Sequence, residues 1–151
     1  MTKYFEVKVR YDKTADSGRI ESVTENYLVD ALSFTEAEAR TIEDLKPFVQ
    51  GDLSMLAMKR SNCSEIIVAE KDGEDGEDFK YFSAKVNFVT LDEHKGKEKK
   101  TAEHYFVYAE DLTIADKTVR EHMKGTLADY EVAKISETNI IDVIRHESTK
   151  V

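Results

Sequence analysis

At 151 residues, 40% hydrophobic and 35% charged, the chain has the make-up of a hydrophilic globular protein rather than a disordered one. A chain of this size buries roughly 70% of its unfolded surface, so folding requires neither disulfide nor metal. The net charge of −9 repels phosphate backbones on average, which argues against generic nucleic-acid binding while leaving room for a local basic face.

The single cysteine, Cys63, can form no internal disulfide, which suits a reducing compartment. No apolar run reaches the length of a membrane span, and no basic-then-apolar leader opens the chain. The expectation is a cytoplasmic protein with no membrane partner.

The first strand alternates. Phe5, Val7, Val9 and Tyr11 share one face, and Tyr4, Glu6, Lys8 and Arg10 the other. The polar stretch Asp12 to Arg19, with Gly18, reads as a hairpin loop. A return strand from Ile20 to Ala31 sets Glu25, Tyr27, Val29 and Ala31 on one face and Asn26, Leu28 and Asp30 on the other. A helix follows, capped by Thr35 with Glu38 or by Ser33 with Glu36. Phe34, Ala37, Thr41, Leu45 and Phe48 form its buried stripe, and Pro47 ends it near Lys46. Gly51-Asp52 then reads as a turn into an apolar strand, Leu53 to Lys59. A polar turn and a short strand, Glu65 to Ala69, close this half.

The segment 70–78, rich in Asp, Glu and Gly, reads as a solvated linker. As a calcium loop counted from Asp72 it places Glu77 where glycine is required and Ser83 where the bidentate glutamate is required, so it fails as an EF-hand.

Beyond the linker the first half replays. Lys80-Tyr81-Phe82 repeats Lys3-Tyr4-Phe5, and Phe82, Ala84, Val86 and Phe88 take the face of Phe5, Val7, Val9 and Tyr11. Glu103, Tyr105, Val107 and Ala109 match Glu25, Tyr27, Val29 and Ala31. The offset is 77 before the hairpin loop (80 − 3) and 78 after it (103 − 25), so the loop absorbed one residue. That loop is now basic, His94 to Lys100. Thr113 with Asp116 repeats the cap. Leu112, Ala115, Val119 and Met123 repeat the stripe, and Gly125 ends the helix. Tyr130 to Ile135 and Ile140 to Ile144 mirror the late strands, with Asn139 matching Asn62. The fold class is therefore α+β. A β-β-α-β(-β) unit is duplicated in tandem, with antiparallel sheet and one helix per unit. The organisation is 1–69 as first repeat, 70–78 as acidic linker and 79–151 as second repeat. The repeats are expected to pack as one globular unit about a pseudo-twofold axis, as one continuous sheet or two facing sheets.

The opening Tyr-Phe-x-x-Lys-Val-Arg-Tyr and the run from Tyr27 to Arg40 resemble an uncharacterised family. It is a domain of unknown function found in Bacteroides-type bacteria and their phages or mobile elements. The resemblance spans essentially the whole chain and implies no activity, since that family offers no catalytic or binding residues to carry over.

Chemistry is sparse. His94, His104, His122 and His146 all fall in the second half without zinc-site spacing, and His104 and His122 replace Asn26 and Asp44 of the first. Cys63 matches the apolar Ile140, which marks a packing position. Glu25 and Glu103 recur on the tyrosine-bearing face. Paired carboxylates can do acid–base work, but a repeated residue more often answers a repeated structural need. No catalytic residue, metal site or cofactor is assigned. The remaining candidate is the sheet face opposite Phe5, Val7 and Val9, carrying Tyr4, Lys8, Arg10, Leu28, Tyr81, Lys85, His104, Phe106 and Tyr108. Aromatic rings among cations suit stacked single-stranded bases, and equally suit a protein interface. With the acidic balance, a non-enzymatic binding or assembly domain using a protein partner or self-association comes first. A single-stranded nucleic-acid binder is the alternative, and a small-molecule enzyme comes third.

Overall fold

A computed structural model describes residues 3–70 and 78–145. Eight strands and two helices follow in order: β1 (Tyr4–Thr14), β2 (Ile20–Asp30), α1 (Phe34–Leu45), β3 (Gln50–Arg60), β4 (Cys63–Val68), β5 (Lys80–Asp92), β6 (Lys97–Ala109), α2 (Leu112–His122), β7 (Asp129–Glu137) and β8 (Ile140–Ile144). They build two separate four-stranded sheets, β3-β1-β2-β8 and β4-β6-β5-β7. The fold is α+β, and the repeat is plain in it. Read from its other end, the second sheet is β7-β5-β6-β4, the order of the first with each strand replaced by its counterpart.

The exception is the outermost strand. β8 lies parallel to β2, and β4 lies parallel to β6, so each repeat supplies its last strand to the sheet of the other. The expectation of purely antiparallel sheet is corrected at these two edges. The compact units differ from the sequence repeats accordingly. Among the described residues, 3–61 with 139–145 form unit 1, and 62–70 with 78–138 form unit 2. The departure points match: Ser61 donates its N–H to the carbonyl of Tyr4 at 2.9 Å, and Thr138 to that of Tyr81 at 2.9 Å. Both are followed by an asparagine, Asn62 or Asn139, and then by the exchanged strand.

Each unit packs one sheet face under its helix, as the alternation dictates. In unit 1, Phe5, Val7, Val9, Tyr11, Tyr27, Val29 and Ala31 meet Ala37 and Leu45 of α1 and Ile144 of β8. In unit 2, Phe82, Ala84, Val86, Tyr105, Val107 and Ala109 meet Ala115, Val119 and Met123. Thr41, fully buried, is satisfied because its hydroxyl donates to the carbonyl of Ala37 at 2.7 Å.

Several local expectations shift. β1 runs through Thr14, leaving only Ala15–Arg19 as the turn, and Gly51 lies inside β3 rather than in a turn before it. Its φ of +85° suits glycine, at a register irregularity between Arg10 and Asp12. Ser33, not Thr35, caps α1, accepting the N–H of Glu36 at 3.1 Å. Asp111, not Thr113, caps α2, accepting that of Ile114 at 2.8 Å. Both caps sit two residues ahead of the threonines, at equivalent positions (111 − 33 = 78). Phe34, Phe48 and Leu112, expected in the helix stripes, are 40%, 61% and 50% exposed. No helix among the described residues is long and apolar enough to cross a membrane.

Candidate functional site

The nine residues of the predicted sheet face fall into two groups. In unit 1, Tyr4, Lys8 and Arg10 project from β1 opposite the core side chains, paired with Asp30, Asn26 and Thr24, and Leu28 is paired with Glu6. In unit 2, Tyr81 pairs with Tyr108, Phe106 with Ser83, and Lys85 with His104. The Tyr81 and Tyr108 rings lie 4.5 Å apart, and Phe79 lies 5.1 Å from Tyr108. Leu28, Tyr81 and Phe106 are buried, the last only 3% exposed. Tyr4, His104 and Tyr108 are half-buried, while Lys8, Arg10 and Lys85 are exposed. In unit 2 the face carries a sheltered aromatic end at Tyr81, Phe106 and Tyr108 and an open cationic end at Lys85, while in unit 1 Leu28 is buried and Lys8 and Arg10 are open.

The repeated carboxylates occupy different networks. Glu25 accepts from the hydroxyl of Tyr11 and from that of Tyr27 at 3.0 Å, with Lys13 Nζ 3.8 Å away. Burial first, and the adjoining carboxylate second, push the Tyr11 phenol up to about 12 and raise that of Tyr27 as well. Both phenols therefore stay protonated as donors, and Glu25 serves as their acceptor. In unit 2, Phe88 stands at the Tyr11 position (88 − 77 = 11), and Glu103 accepts instead from the Ser64 hydroxyl. Tyr105 is raised by burial and then by Glu103 and Glu65.

Ser64, Glu65 and His122 also gather where β4 meets α2. His122 Nε2 lies 3.1 Å from Glu65, and its ring stands 5.8 Å edge-on from Tyr105. A serine nucleophile requires the imidazole on its hydroxyl. Here the Ser64 hydroxyl faces a carboxylate and the imidazole faces another, so the trio fastens the exchanged strand rather than activating an oxygen. Cys63 is half-buried, its thiol 3.6 Å from the carbonyl of Glu65, and it stands beside His104 in register. His94 lies in the exposed hairpin turn, and His146 lies outside the described residues, as does 71–77 of the linker. Among the described residues no cluster of His, Cys, Asp or Glu has the arrangement of a metal site.

A groove that the sequence reading missed runs between α2 and the edge strand β7. Its volume is about 390 Å³, and Leu112, Asp116 and Arg120 on the helix face Val132, Lys134 and Ile135 on the strand. Arg120 is paired with Asp116 at 2.9 Å. Unit 1 carries a different chemistry at the equivalent positions. Phe34, Glu38 and Ile42 replace Leu112, Asp116 and Arg120 (offset 78), and Leu56 replaces Ala133 (offset 77). Phe34, Ile42 and Leu56 are 40%, 44% and 49% exposed. Phe34 rests edge-on against Phe5 at 4.9 Å, with the Arg60 guanidinium 5.6 Å from its ring. The available signal was Ile42 on the polar flank of the helix, together with an edge strand whose Met55-Leu56-Ala57-Met58 run does not alternate.

A family model matches residues 3–146, and its description is a domain of unknown function. No curated protein matches the chain.

Proposed function

The chain belongs to the DUF4494 family, and from that premise we propose that it is a non-enzymatic binding and assembly module that holds a protein partner on the α1–β3 side of unit 1. The observation that carries this reading is the exposure of Phe34, Ile42 and Leu56 at positions where the duplicate unit carries leucine, arginine and alanine. Two copies of one scaffold share their structural needs. Both copies keep an apolar residue in water at the Phe34 position, but Ile42 and Leu56, which give way to arginine and alanine in the other copy, answer a need outside the scaffold. Glu38 lies between Phe34 and Ile42 on that flank, and α1 carries four acids (Glu36, Glu38, Glu43, Asp44) against Arg40 alone. The occupant that fits is a short apolar segment bearing lysine or arginine toward Glu38.

Satisfaction of Glu25, Glu103 and His122 by neighbouring side chains weighs against acid–base catalysis. Burial of Tyr81 and Phe106 weighs against single-strand stacking on the predicted sheet face, since a base needs an open ring. The resemblance implies a setting in Bacteroides-type bacteria, their phages or mobile elements, and the lone cysteine suits the cytoplasm.

The test is selection of displayed peptides on the whole chain, followed by titration against Ile42→Asp and Leu56→Asp. Selected peptides should be apolar with basic residues. Each variant should weaken them at least tenfold, about 1.4 kcal/mol, at an unchanged melting temperature. Peptides that bind both variants as well as the parent would overturn the proposal.

A further inference from the structure

The β5–β6 hairpin extends past both of its neighbours. The last pair joining β5 to β7 is Val89 with Asp129, and pairing of β6 with β4 begins only at His104 with Cys63. Thr90, Leu91 and Asp92 pair only with Lys99, Glu98 and Lys97. Three pairs at about 3.4 Å each, with the turn beyond them, make a two-stranded ribbon projecting about 10 Å or more. Residues 94–100 hold four lysines and one glutamate, whereas the equivalent 16–22 of unit 1 hold one arginine against two acids. The duplicate again serves as an internal control, because a hairpin of this fold does not require those lysines.

Three acids, Asp92, Glu93 and Glu98, share the tip with the lysines. Asp92 turns inward, its Oδ1 accepting the N–H of His94 at 3.0 Å and of Lys95 at 3.3 Å. Glu131 is held by Lys100 at 3.0 Å and by Asn87 at 3.1 Å. Glu98 alternates to the face opposite Lys97 and Lys99, and Glu93 stands in the turn. Lys95, Lys97 and Lys99 are exposed, and no hydrogen bond or ion pair engages their ammonium groups among the described residues. Leu91, 67% exposed, pairs with Glu98 and so lies on the other face of the ribbon from Lys97 and Lys99.

We infer that the tip of the β5–β6 ribbon, through Lys95, Lys97 and Lys99, is a contact for duplex DNA. The major groove is about 12 Å wide and 8.5 Å deep and admits a two-stranded ribbon. The projecting length matches that depth. The A-form major groove of RNA is too narrow for such a ribbon. The acidic remainder of the molecule, repelled by the duplex, turns the ribbon toward it. This site is distinct from the apolar flank of unit 1 and stands or falls separately.

Fluorescence anisotropy of a labelled 20-base-pair duplex of mixed sequence, titrated with the whole chain, tests this. Three phosphate contacts give a salt slope of about −2.7, so affinity should fall about 40-fold between 50 and 200 mM salt. The combined Lys95→Gln, Lys97→Gln, Lys99→Gln variant should lose at least about tenfold at 50 mM and most of that slope. Each single variant should lose a smaller share. A variant with Lys13→Gln and Arg19→Gln in the unit 1 hairpin should bind like the parent. Absence of duplex binding at 50 mM salt, or equal binding by the triple variant, would overturn the assignment. Tighter binding to poly-glutamate or to phosphatidylserine vesicles than to the duplex would also overturn it, in favour of an acidic protein or a membrane surface.

Discussion

Ile144→Ala probes the strand exchange directly, because Ile144 belongs by sequence to the second repeat and by packing to the first unit. The side chain is 4% exposed, paired in register with Val29 and set in the cluster of Phe5, Tyr27, Val29 and Leu45. Truncating a buried isoleucine to alanine costs about 2–5 kcal/mol, depending on how far the cavity collapses. β8 is a five-residue edge strand that can settle inward, so the lower part of that range, about 2–3 kcal/mol, applies here. At about 2–4 °C per kcal/mol for a chain of this length, the melting temperature should drop by about 4–12 °C. Location is the sharper readout. Backbone amide shifts should move along β1, β2 and α1 and stay in place along β5, β6 and α2. The mirror variant, Ile67→Ala in β4, should do the reverse. Shifts from Ile144→Ala centred on Phe82, Val86 and Val107 would mean that β8 completes its own repeat's sheet, and the exchange would be refuted.

The tyrosine–carboxylate cluster should make the fold alkali-sensitive. The unfolded phenol ionises near its ordinary 10.0 and the folded Tyr11 near about 12, so the unfolded chain loses its proton first. Stability is then full below pH 10 and lost as pH climbs through about 12. Urea midpoints across that window, with phenolate absorbance, check this, and a Tyr11 titration near 10 would contradict it. Asp111→Ala should cost about 1 kcal/mol through loss of the α2 cap, and Thr113→Ala much less, by thermal melts of both. Val107→Asp should lower stability by more than about 4 kcal/mol, since it sets a lone carboxylate in a fully buried position. A melting temperature like that of the parent would show the strand faces to be inverted.

Strand faces were legible because period two is a local property. The alternation of Phe5, Val7, Val9 and Tyr11 names the side that must leave water, and the same pattern from Phe82 repeats it. The destination of β4 and β8 was not legible. Alternation tells which way a side chain points but not which edge the backbone joins, and the two-residue links Ser61-Asn62 and Thr138-Asn139 read locally as hairpin turns. The ribbon at Lys97–Lys100 was read as loop because its residues are polar, yet cross-strand pairing sustains it. Burial depth was hidden for a related reason. Phe106 and Lys85 share one face of unit 2, and nothing in a two-residue period separates the sheltered end from the open one. At the helix start, the Thr-x-x-Asp pattern at Thr113 outweighed a lone Asp111, although one side-chain acceptor suffices to cap.

The register irregularities carry a chronology. An extra residue interrupts β3 at Leu56 and β7 at Ala133, and others interrupt β8 at Ile141 and β4 at Ser64. Each pair stands 77 residues apart (133 − 56, 141 − 64). A single-residue insertion reverses the facing of everything after it, so its acquisition twice at matching places is far less economical than inheritance. The interruptions in the outermost strands are older than the gene fusion, and so, with them, is the parallel seat those strands occupy. A chain of half this length would carry only one such strand, and filling that seat would take a second copy. On this view the linker did not join two self-sufficient modules. It tethered the halves of a pair that already depended on each other. A fragment of residues 1–70 that ran as a folded monomer would break that ancestry, and one that folded only as a dimer would revive it.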